Sequence, residues 1–208
     1  MPHLFGTDGV RGRAGDYPLD HATVARIGAA LVRAMRPDVR PLRLIVGRDT
    51  RESGEWIERE LARGAGSVGA TVTSAGVVPT PAIAYVTREM AFDAGIVISA
   101  SHNPFQDNGI KVFSGHGQKF TASLEREVEA IVAADGWTVP ASARAHVAKL
   151  DVAEAYLAHA RLALPDPQRL GRFKIVVDTA NGATTTVAPR LFSELGFDVH
   201  LFVPRDLE

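Results

Sequence analysis

The sequence contains no cysteine among its 208 residues. This absence excludes disulfide bonds, thiolate nucleophiles and zinc sites with cysteine ligands. An excess of charge is also missing, because 23 Lys and Arg residues oppose 24 Asp and Glu residues and the formal net charge is −1. This balance argues against nucleic acid or an anionic membrane as the main partner, so we expect any anion to be bound locally.

Long apolar segments are missing as well. No apolar run is long enough to cross a bilayer, and residues 1–6 lack the basic and apolar regions of a signal peptide. The sequence therefore predicts a cytoplasmic protein. With 46% hydrophobic and 23% charged residues, the chain is long enough for the core of one domain, or of one domain and part of another.

Helical and strand spacing of apolar residues alternate along the chain. Asp20 and Ser53 are candidate N-caps, whereas Pro37 and Gly69 are candidate helix ends. Helices are predicted over residues 20–36, 53–68, 79–90 and 122–134, and strands over 42–46, 70–73, 94–99 and 110–113. This order predicts an α/β fold, a three-layer α/β/α sandwich with a mixed sheet.

A second unit is predicted to begin at residue 151, so residues 1–150 form one domain and residues 151–208 start a second, similar α/β domain. Residues 136–148 are weakly patterned and linker-like, whereas Ile175–Val177 has the pattern of a strand. About sixty residues provide one strand–helix–strand unit, which leaves sheet edges exposed and the core small. We therefore expect the chain to be an N-terminal fragment of a longer protein.

The most informative stretch runs from Ile98 to Phe113. Ser101 and His102 directly follow the buried-strand pattern of residues 94–99. Because ligands of open α/β sheets gather beyond the carboxyl ends of strands, Ser101 is placed to meet one. Pro104 restricts the backbone of this loop, which favours a fixed orientation of the serine.

The end of the same stretch predicts a reversal of the chain. Asn108-Gly109 is typical of a tight turn, because both residue types tolerate positive φ. This turn would fold residues 110–113 back as a strand and return Lys111 toward Ser101.

Two further segments carry candidate anion-binding or structural groups. In residues 6–12, glycines let backbone N–H groups approach an anion, and Arg11 offers a planar fork for phosphate oxygens. Taken alone, the same residues also fit a glycine-rich loop with a solvated arginine. In residues 47–51, the pattern predicts a turn in which Asp49 contacts Arg51 or the backbone.

Together these segments resemble the alpha-D-phosphohexomutase superfamily. Ser-Ala-Ser-His-Asn-Pro at residues 99–104 is similar to its phosphoserine loop, and Arg11 falls on the arginine of a loop that lies near that serine. Residues 47–51 and 78–82 resemble two other segments of the superfamily. The sequences of residues 6–12 and 98–111 most resemble its bacterial phosphoglucosamine mutase branch.

The resemblance implies interconversion of glucosamine 6-phosphate and glucosamine 1-phosphate, a step toward cell-wall amino sugars. A phosphorylated serine lends its phosphoryl group to the sugar, and the resulting sugar bisphosphate is both intermediate and activator. Such transfer depends on positioning and on neutralising charge. The implied catalytic residues are Ser101, His102, Lys111 and Arg11, with His102 and Lys111 as alternatives for the acid–base role; the implied phosphate- or substrate-binding residues are Thr7, Asp8, Gly9 and Asn103.

The resemblance also implies Mg²⁺, bound to an oxygen of the phosphorylated Ser101. The superfamily supplies its carboxylate ligands from an Asp-Gly-Asp-x-Asp-Arg loop in its second domain, and the sequence contains no such loop. The superfamily's sugar-reading and distal phosphate-binding loops are missing too. We therefore expect the chain alone to have little or no mutase activity. The implied partner is a small phosphosugar, and a homodimer is compatible with the resemblance.

Other functions stay open at this point. A phosphomannomutase or phosphoglucomutase would share the same motifs, and a non-catalytic phosphate-binding or oligomerising domain would need only the anion site. A serine hydrolase is the weakest alternative, because there is no Gly-x-Ser-x-Gly elbow and adjacent Ser101 and His102 are poorly placed to form a triad pair.

Overall fold

A six-stranded mixed sheet forms the centre of the computed structural model, which describes residues 4–35 and 40–202. The strand order is β1-β5-β4-β2-β3-β6. Strands β4, β2, β3 and β6 run parallel, whereas β5 pairs antiparallel with both β1 and β4. The strands are β1 (Val10–Arg13), β2 (Arg43–Arg48), β3 (Thr71–Val77), β4 (Ala94–Ile98), β5 (Asp107–Ser114) and β6 (Val147–Lys149).

Helices cover both faces of this sheet. Leu44 and Val46 of β2 join the core with α1, α2 and α4, whereas Ile45 between them joins the core with α3 on the opposite face. Successive side chains of a strand point to opposite faces, so a strand that is covered on both faces is apolar at consecutive positions. The helices are α1 (His21–Ala34), α2 (Gly54–Ser67), α3 (Thr80–Glu89), α4 (Ala122–Ala133) and α5 (Ala153–Arg161). The predicted three-layer α/β/α sandwich is confirmed.

The two predicted N-caps have different outcomes. The Asp20 carboxylate accepts a hydrogen bond from the Thr23 N–H at 3.0 Å, as the cap prediction requires. Ser53 precedes α2 but makes no capping hydrogen bond, so its predicted role is wrong. Its hydroxyl accepts instead from Asn108 Nδ2 of β5 at 2.9 Å. The predicted helix end at Pro37 lies outside the described residues.

The predicted turn at Asn108-Gly109 is also wrong. Both residues lie inside β5, where they pair with Gly12 and Arg11 of β1. Pairing with a second strand satisfies their backbone groups, so the local turn preference does not decide the conformation. The buried Asn108 side chain also accepts from the Gly109 N–H at 2.8 Å, and the chain reverses earlier, over residues 101–106.

The segment expected to be linker-like, residues 136–148, is instead packed on the sandwich. The Trp137 indole N–H donates to the Ile131 carbonyl at 2.9 Å. The guanidinium carbons of Arg26 and Arg33 lie 4.6 and 4.2 Å from the centre of a Trp137 ring. The segment then leads into β6, which extends the sheet by a short edge strand that sequence periodicity did not predict.

A smaller C-terminal unit follows α5 and a short 3₁₀ helix (Pro167–Leu170). Its strands β7 (Lys174–Asp178) and β8 (Asp198–Phe202) form a parallel pair, connected by α6 (Ala188–Glu194). Helix α6 has no buried residue, and Val176 of β7 is 71% exposed. The division at residue 150 stays a prediction; α5 packs on α3, where the rings of Tyr85 and His159 stack with their centres 4.0 Å apart.

Within residues 4–35 and 40–202, no helix combines the length and the apolar composition that a membrane crossing requires.

Candidate active site

A cleft of about 1160 Å³ opens where β2 and β4 end. Because these strands are parallel neighbours, the loops after their carboxyl ends meet at one edge of the sheet. The cleft is lined by residues 49–53 after β2 and by much of residues 99–106 after β4. Residues of the loop after β7, including Thr179 and Thr184, also line it, as do Arg13 and residues 79–81.

Ser101 lies in this cleft in an unusual backbone conformation. Its φ is +60°, in the left-handed region that residues other than glycine seldom adopt. Its N–H donates to Ser99 Oγ at 3.0 Å, and its carbonyl accepts from Arg51 Nη2 at 3.1 Å. The side chain is exposed, and its Oγ lies 3.3 Å from His102 Nδ1. Both peptide groups of Ser101 are thus fixed, while its hydroxyl stays open to the cleft beside an imidazole.

The predicted contact between Asp49 and Arg51 is confirmed. Arg51 Nε lies 3.0 Å from Asp49 Oδ2, and the Arg51 N–H donates to Asp49 Oδ1 at 3.0 Å. Sequence reasoning missed a further role, because the Arg51 guanidinium also donates to backbone carbonyls of the Ser101 loop, residues 99–107. The signal in the sequence was that both segments directly follow predicted strands. The structure shows that these strands, β2 and β4, are neighbours.

Arg11 reaches the same loop from β1. Its Nη1 donates to Asn103 Oδ1 at 3.3 Å, and its Nη2 lies 3.4 Å from Asp8 Oδ2. Its Nε is buried and has no hydrogen-bond partner among the described residues. Nη1 and Nη2 each use one of their two N–H groups in a long contact, which leaves the partly exposed end of the guanidinium able to donate to an anion. Asn103 Nδ2 donates in turn to Asp107 Oδ2 at 3.1 Å.

Residues predicted to cradle phosphate line a second, smaller cavity of about 300 Å³. Thr7, Asp8, Gly9 and Arg11 contribute to it. The loop closes through a hydrogen bond from the Gly6 N–H to the Gly9 carbonyl at 2.9 Å. Gly9 has a φ of +91°, and a Cβ at this position would lie 2.3 Å from the Ile110 carbonyl oxygen. Glycine is therefore needed for β1 to approach β5 and place Arg11.

Lys111 lies apart from both cavities, since it lines neither of them. It pairs with Val97 in the β4–β5 ladder and is half-buried. Its neighbours Ile110 and Val112 join the core beneath α1, so Lys111 lies on the other face of the sheet. The structure thus brings Arg11, paired with Asp8, to Asn103 in the loop of Ser101 and His102, and leaves the role of Lys111 a prediction.

Polar contacts link the C-terminal unit to the sandwich. The Thr50 hydroxyl, next to the cleft, donates to the Asn181 carbonyl at 2.7 Å. Ion pairs also join α5 to α6, between Arg161 and Glu194 and between Glu154 and Arg190. Glu154 and Glu194 flank Arg190 and hold the pKa of its guanidinium above the usual value, chiefly through hydrogen bonds.

In the part of the chain that the structure describes, no group of three or more His, Asp or Glu side chains is placed to hold a metal ion. The predicted Mg²⁺ contact of Ser101 stays a prediction.

Comparison with known proteins places these motifs in a family. Residues 2–138 match the family model described as phosphoglucomutase/phosphomannomutase, alpha/beta/alpha domain I. A phosphoglucosamine mutase of Syntrophobacter fumaroxidans is 43% identical over 204 residues, which cover 96% of this chain and 45% of the relative. One from Wolinella succinogenes is 45% identical over 205 residues, covering 94% and 45%. The chain spans less than half the length of these relatives.

A solved structure agrees with the sequence matches. A phosphoglucomutase/phosphomannomutase family protein from Burkholderia thailandensis superposes with a TM-score of 0.76 at 28% identity, over 97% of this chain and 44% of the other. The superfamily that the Ser101 and Arg11 segments predicted is confirmed, and the chain belongs to the phosphoglucomutase/phosphomannomutase family, whose domain I it contains.

Proposed function

We propose that the whole protein containing this chain is an intramolecular phosphotransferase that interconverts glucosamine 6-phosphate and glucosamine 1-phosphate. The observation that carries the proposal is Ser101, whose exposed hydroxyl is held in the cleft by a fixed left-handed backbone. Relatives named phosphoglucosamine mutase at 43% and 45% identity support the choice of sugar. The activity is assigned to the whole protein, because the chain corresponds to less than half of these relatives.

The proposed reaction has two phosphoryl transfers. In the first, the bond between phosphorus and Ser101 Oγ breaks as the C1 hydroxyl oxygen of glucosamine 6-phosphate bonds to phosphorus. The sugar hydroxyl loses its proton, Ser101 Oγ regains one, and the product is a sugar bisphosphate. The bisphosphate then turns in the site, and the bond between phosphorus and its C6 oxygen breaks as Ser101 Oγ bonds to that phosphorus. Ser101 Oγ loses its proton, the C6 oxygen gains one, and glucosamine 1-phosphate is left.

His102 and Arg11 suit the two demands of this chemistry. The 3.3 Å between His102 Nδ1 and Ser101 Oγ allows the imidazole to move a proton to or from that oxygen. Charge on the transferred group spreads over its oxygens and has to be neutralised by positioned cations. The partly exposed end of the Arg11 guanidinium, beside Asn103, would meet that need. The acid–base role of Lys111 stays only an implication of the resemblance, because Lys111 lines neither cavity.

We also propose that Mg²⁺ binds to an oxygen of the phosphorylated Ser101, where it would add to charge neutralisation. The described residues do not form the rest of such a site, because they contain no carboxylate cluster. Further ligands would come from other parts of the whole protein.

We keep the division into residues 1–150 and 151–208 as a proposal, supported by the separate two-stranded sheet.

The test is mass spectrometry and kinetics on the whole protein. We expect a fraction of molecules to carry one phosphoryl group at Ser101, and Ser101→Ala to lose this group together with turnover. Ser123→Ala, which changes an exposed serine of α4, serves as the matched control and should keep both. Full turnover in Ser101→Ala would refute the proposal.

Substrate comparison separates the remaining alternatives. Glucosamine phosphates should turn over faster than mannose or glucose phosphates. The reverse order would identify a phosphomannomutase or phosphoglucomutase. Phosphate binding without turnover of any hexose phosphate would identify a non-catalytic domain.

A further inference from the structure

Arg51 is a largely buried guanidinium next to Ser101, and the proposed phosphoryl transfer gives it no part. We propose that Arg51, oriented by Asp49, is a positioning residue that fixes the Ser101 loop and does not bind substrate phosphate. The inference rests on the proposed function, which it deepens by separating the roles of two arginines at one site.

All five N–H donors of the Arg51 guanidinium are occupied within the protein. Nε donates to Asp49 Oδ2 at 3.0 Å. Nη1 donates to the carbonyls of Pro104 at 2.6 Å and Asp107 at 2.9 Å, and Nη2 to those of Ser101 at 3.1 Å and Asn103 at 2.8 Å. Since a guanidinium has five donors and no acceptor, none is left for a phosphate oxygen.

The same ion pair also reaches the other peptide group of Ser101. Asp49 Oδ2 accepts from Ser99 Oγ at 2.7 Å, and Ser99 Oγ accepts from the Ser101 N–H at 3.0 Å. The Arg51 and Asp49 side chains are only 10% and 11% exposed. A left-handed serine costs free energy and persists only where its surroundings impose it. Here Arg51 holds the carbonyl, while Asp49 holds the N–H through Ser99.

This arrangement matters for the transferred group rather than for binding. Phosphoryl transfer requires phosphorus to lie in line with the attacking and leaving oxygens, and Ser101 must meet that geometry in both transfers. Loosening the loop would misalign the phosphoryl group without removing any donor to the bound sugar phosphate. We therefore expect Arg51 to govern kcat and to leave KM nearly unchanged.

Arg48 provides a matched control from the same segment. It is also a partly buried arginine with carboxylate partners, at 2.8 Å from Glu55 and 3.3 Å from Glu58. Those partners lie on α2 and not in the Ser101 loop. Arg48→Lys therefore perturbs, with Glu58, an ion pair of similar burial without releasing the loop.

The first experiment measures amide hydrogen exchange on the whole protein. Lysine cannot reproduce the planar fork, so Arg51→Lys should speed exchange at the N–H groups of Ser101, Asn103 and Asp107 by about tenfold or more. Arg48→Lys should leave these rates at the parent value. Should Arg51→Lys not fold, Ser99→Ala removes the acceptor of the Ser101 N–H together with its hydrogen bond to Asp49, and should speed exchange there. Parent-like rates at Ser101 in the folded variant would overturn the inference.

The second experiment measures kinetics on the whole protein. Arg51→Lys should lower kcat by about 100-fold, the scale of a 1 Å misplacement, with KM within about threefold of the parent. A raised KM with unchanged kcat would indicate phosphate binding, and values equal to those of Arg48→Lys would indicate a merely structural role; either result overturns the inference. Full turnover in Ser101→Ala would instead refute the proposed function. The exchange experiment would still show whether Arg51 fixes the Ser101 loop.

Discussion

Gly9→Ala tests whether the close approach of β1 to β5 positions the arginine of the site. A Cβ at position 9 would lie 2.3 Å from the Ile110 carbonyl oxygen and 3.1 Å from its carbon. Both are backbone atoms of β5, so no side chain can rotate away. Because a carbon–oxygen contact normally needs about 3.3 Å, β1 has to shift by about 1 Å. Arg11 would shift with it.

The matched control is Gly15→Ala. Gly15 also has a left-handed φ, +99° against +91° for Gly9, but a Cβ there meets nothing within 4 Å. Both variants therefore share the conformational cost of alanine in this region, about 1–3 kcal/mol. Only Gly9→Ala also disturbs the ladder around Val10 and Ile110, where losing two hydrogen bonds costs about 2 kcal/mol.

Urea unfolding of the chain, followed by circular dichroism, measures the difference. We expect Gly9→Ala to be about 2 kcal/mol less stable than Gly15→Ala, with the same dependence of the unfolding free energy on urea concentration. In the whole protein, Gly9→Ala should also lower turnover more than Gly15→Ala. Equal stabilities of the two variants would refute the reasoning, because the contact with Ile110 would then impose no constraint on β1.

Three further predictions concern the fold. The Arg40 guanidinium holds the pKa of the Asp93 carboxyl below its usual range. A depressed pKa stabilises the fold fully above the pKa of the unfolded chain, and this stabilisation is lost as the pH falls through the pKa of the folded chain. Asp93→Asn should therefore lower the urea midpoint at pH 7, and the difference from the parent midpoint should close as the pH falls below about 4. Trp137→Leu should cost about 2–3 kcal/mol in unfolding free energy, because it removes two cation–π contacts and one hydrogen bond; an unchanged melting temperature would contradict this. In Gly64→Ala, the new Cβ would lie 1.8 Å from a carbonyl oxygen of α1, so we expect a loss of about 3 kcal/mol or more, whereas Gly66→Ala, exposed on the same helix, should gain about 0.5–1 kcal/mol. Similar melting temperatures for the two alanine variants would show that α1 and α2 can separate freely.

The parts of the fold that follow from local pattern were predictable from the sequence. Helices α1 to α4 bury one apolar face against the sheet, and that burial produces the periodicity by which they were located. The turn at Asn108-Gly109 failed because pairing with β1 outweighs the turn preference of two residues. Strand β6 was missed because three residues carry no periodicity and are defined only by their pairing with β3.

The candidate site shows the same division. Ser101, His102 and Arg11 belong to short motifs whose order along the chain carries the information. The grip of Arg51 on the Ser101 loop depends on β2 and β4 being neighbours, and a sequence does not state which strands pair. The expected return of Lys111 toward Ser101 was derived from the turn at residues 108–109, so it lost its basis when that turn proved absent.

The polar links between the two sheets imply that access to the cleft and alignment of the nucleophile can vary independently. Thr50 is joined to Asn181 by a single neutral hydrogen bond, worth about 1 kcal/mol, and the ion pairs between α5 and α6 are weakened by salt. Ionic strength should therefore change the width of the entrance to the cleft. The orientation of Ser101 should not change with ionic strength, because the groups that fix its loop are largely buried.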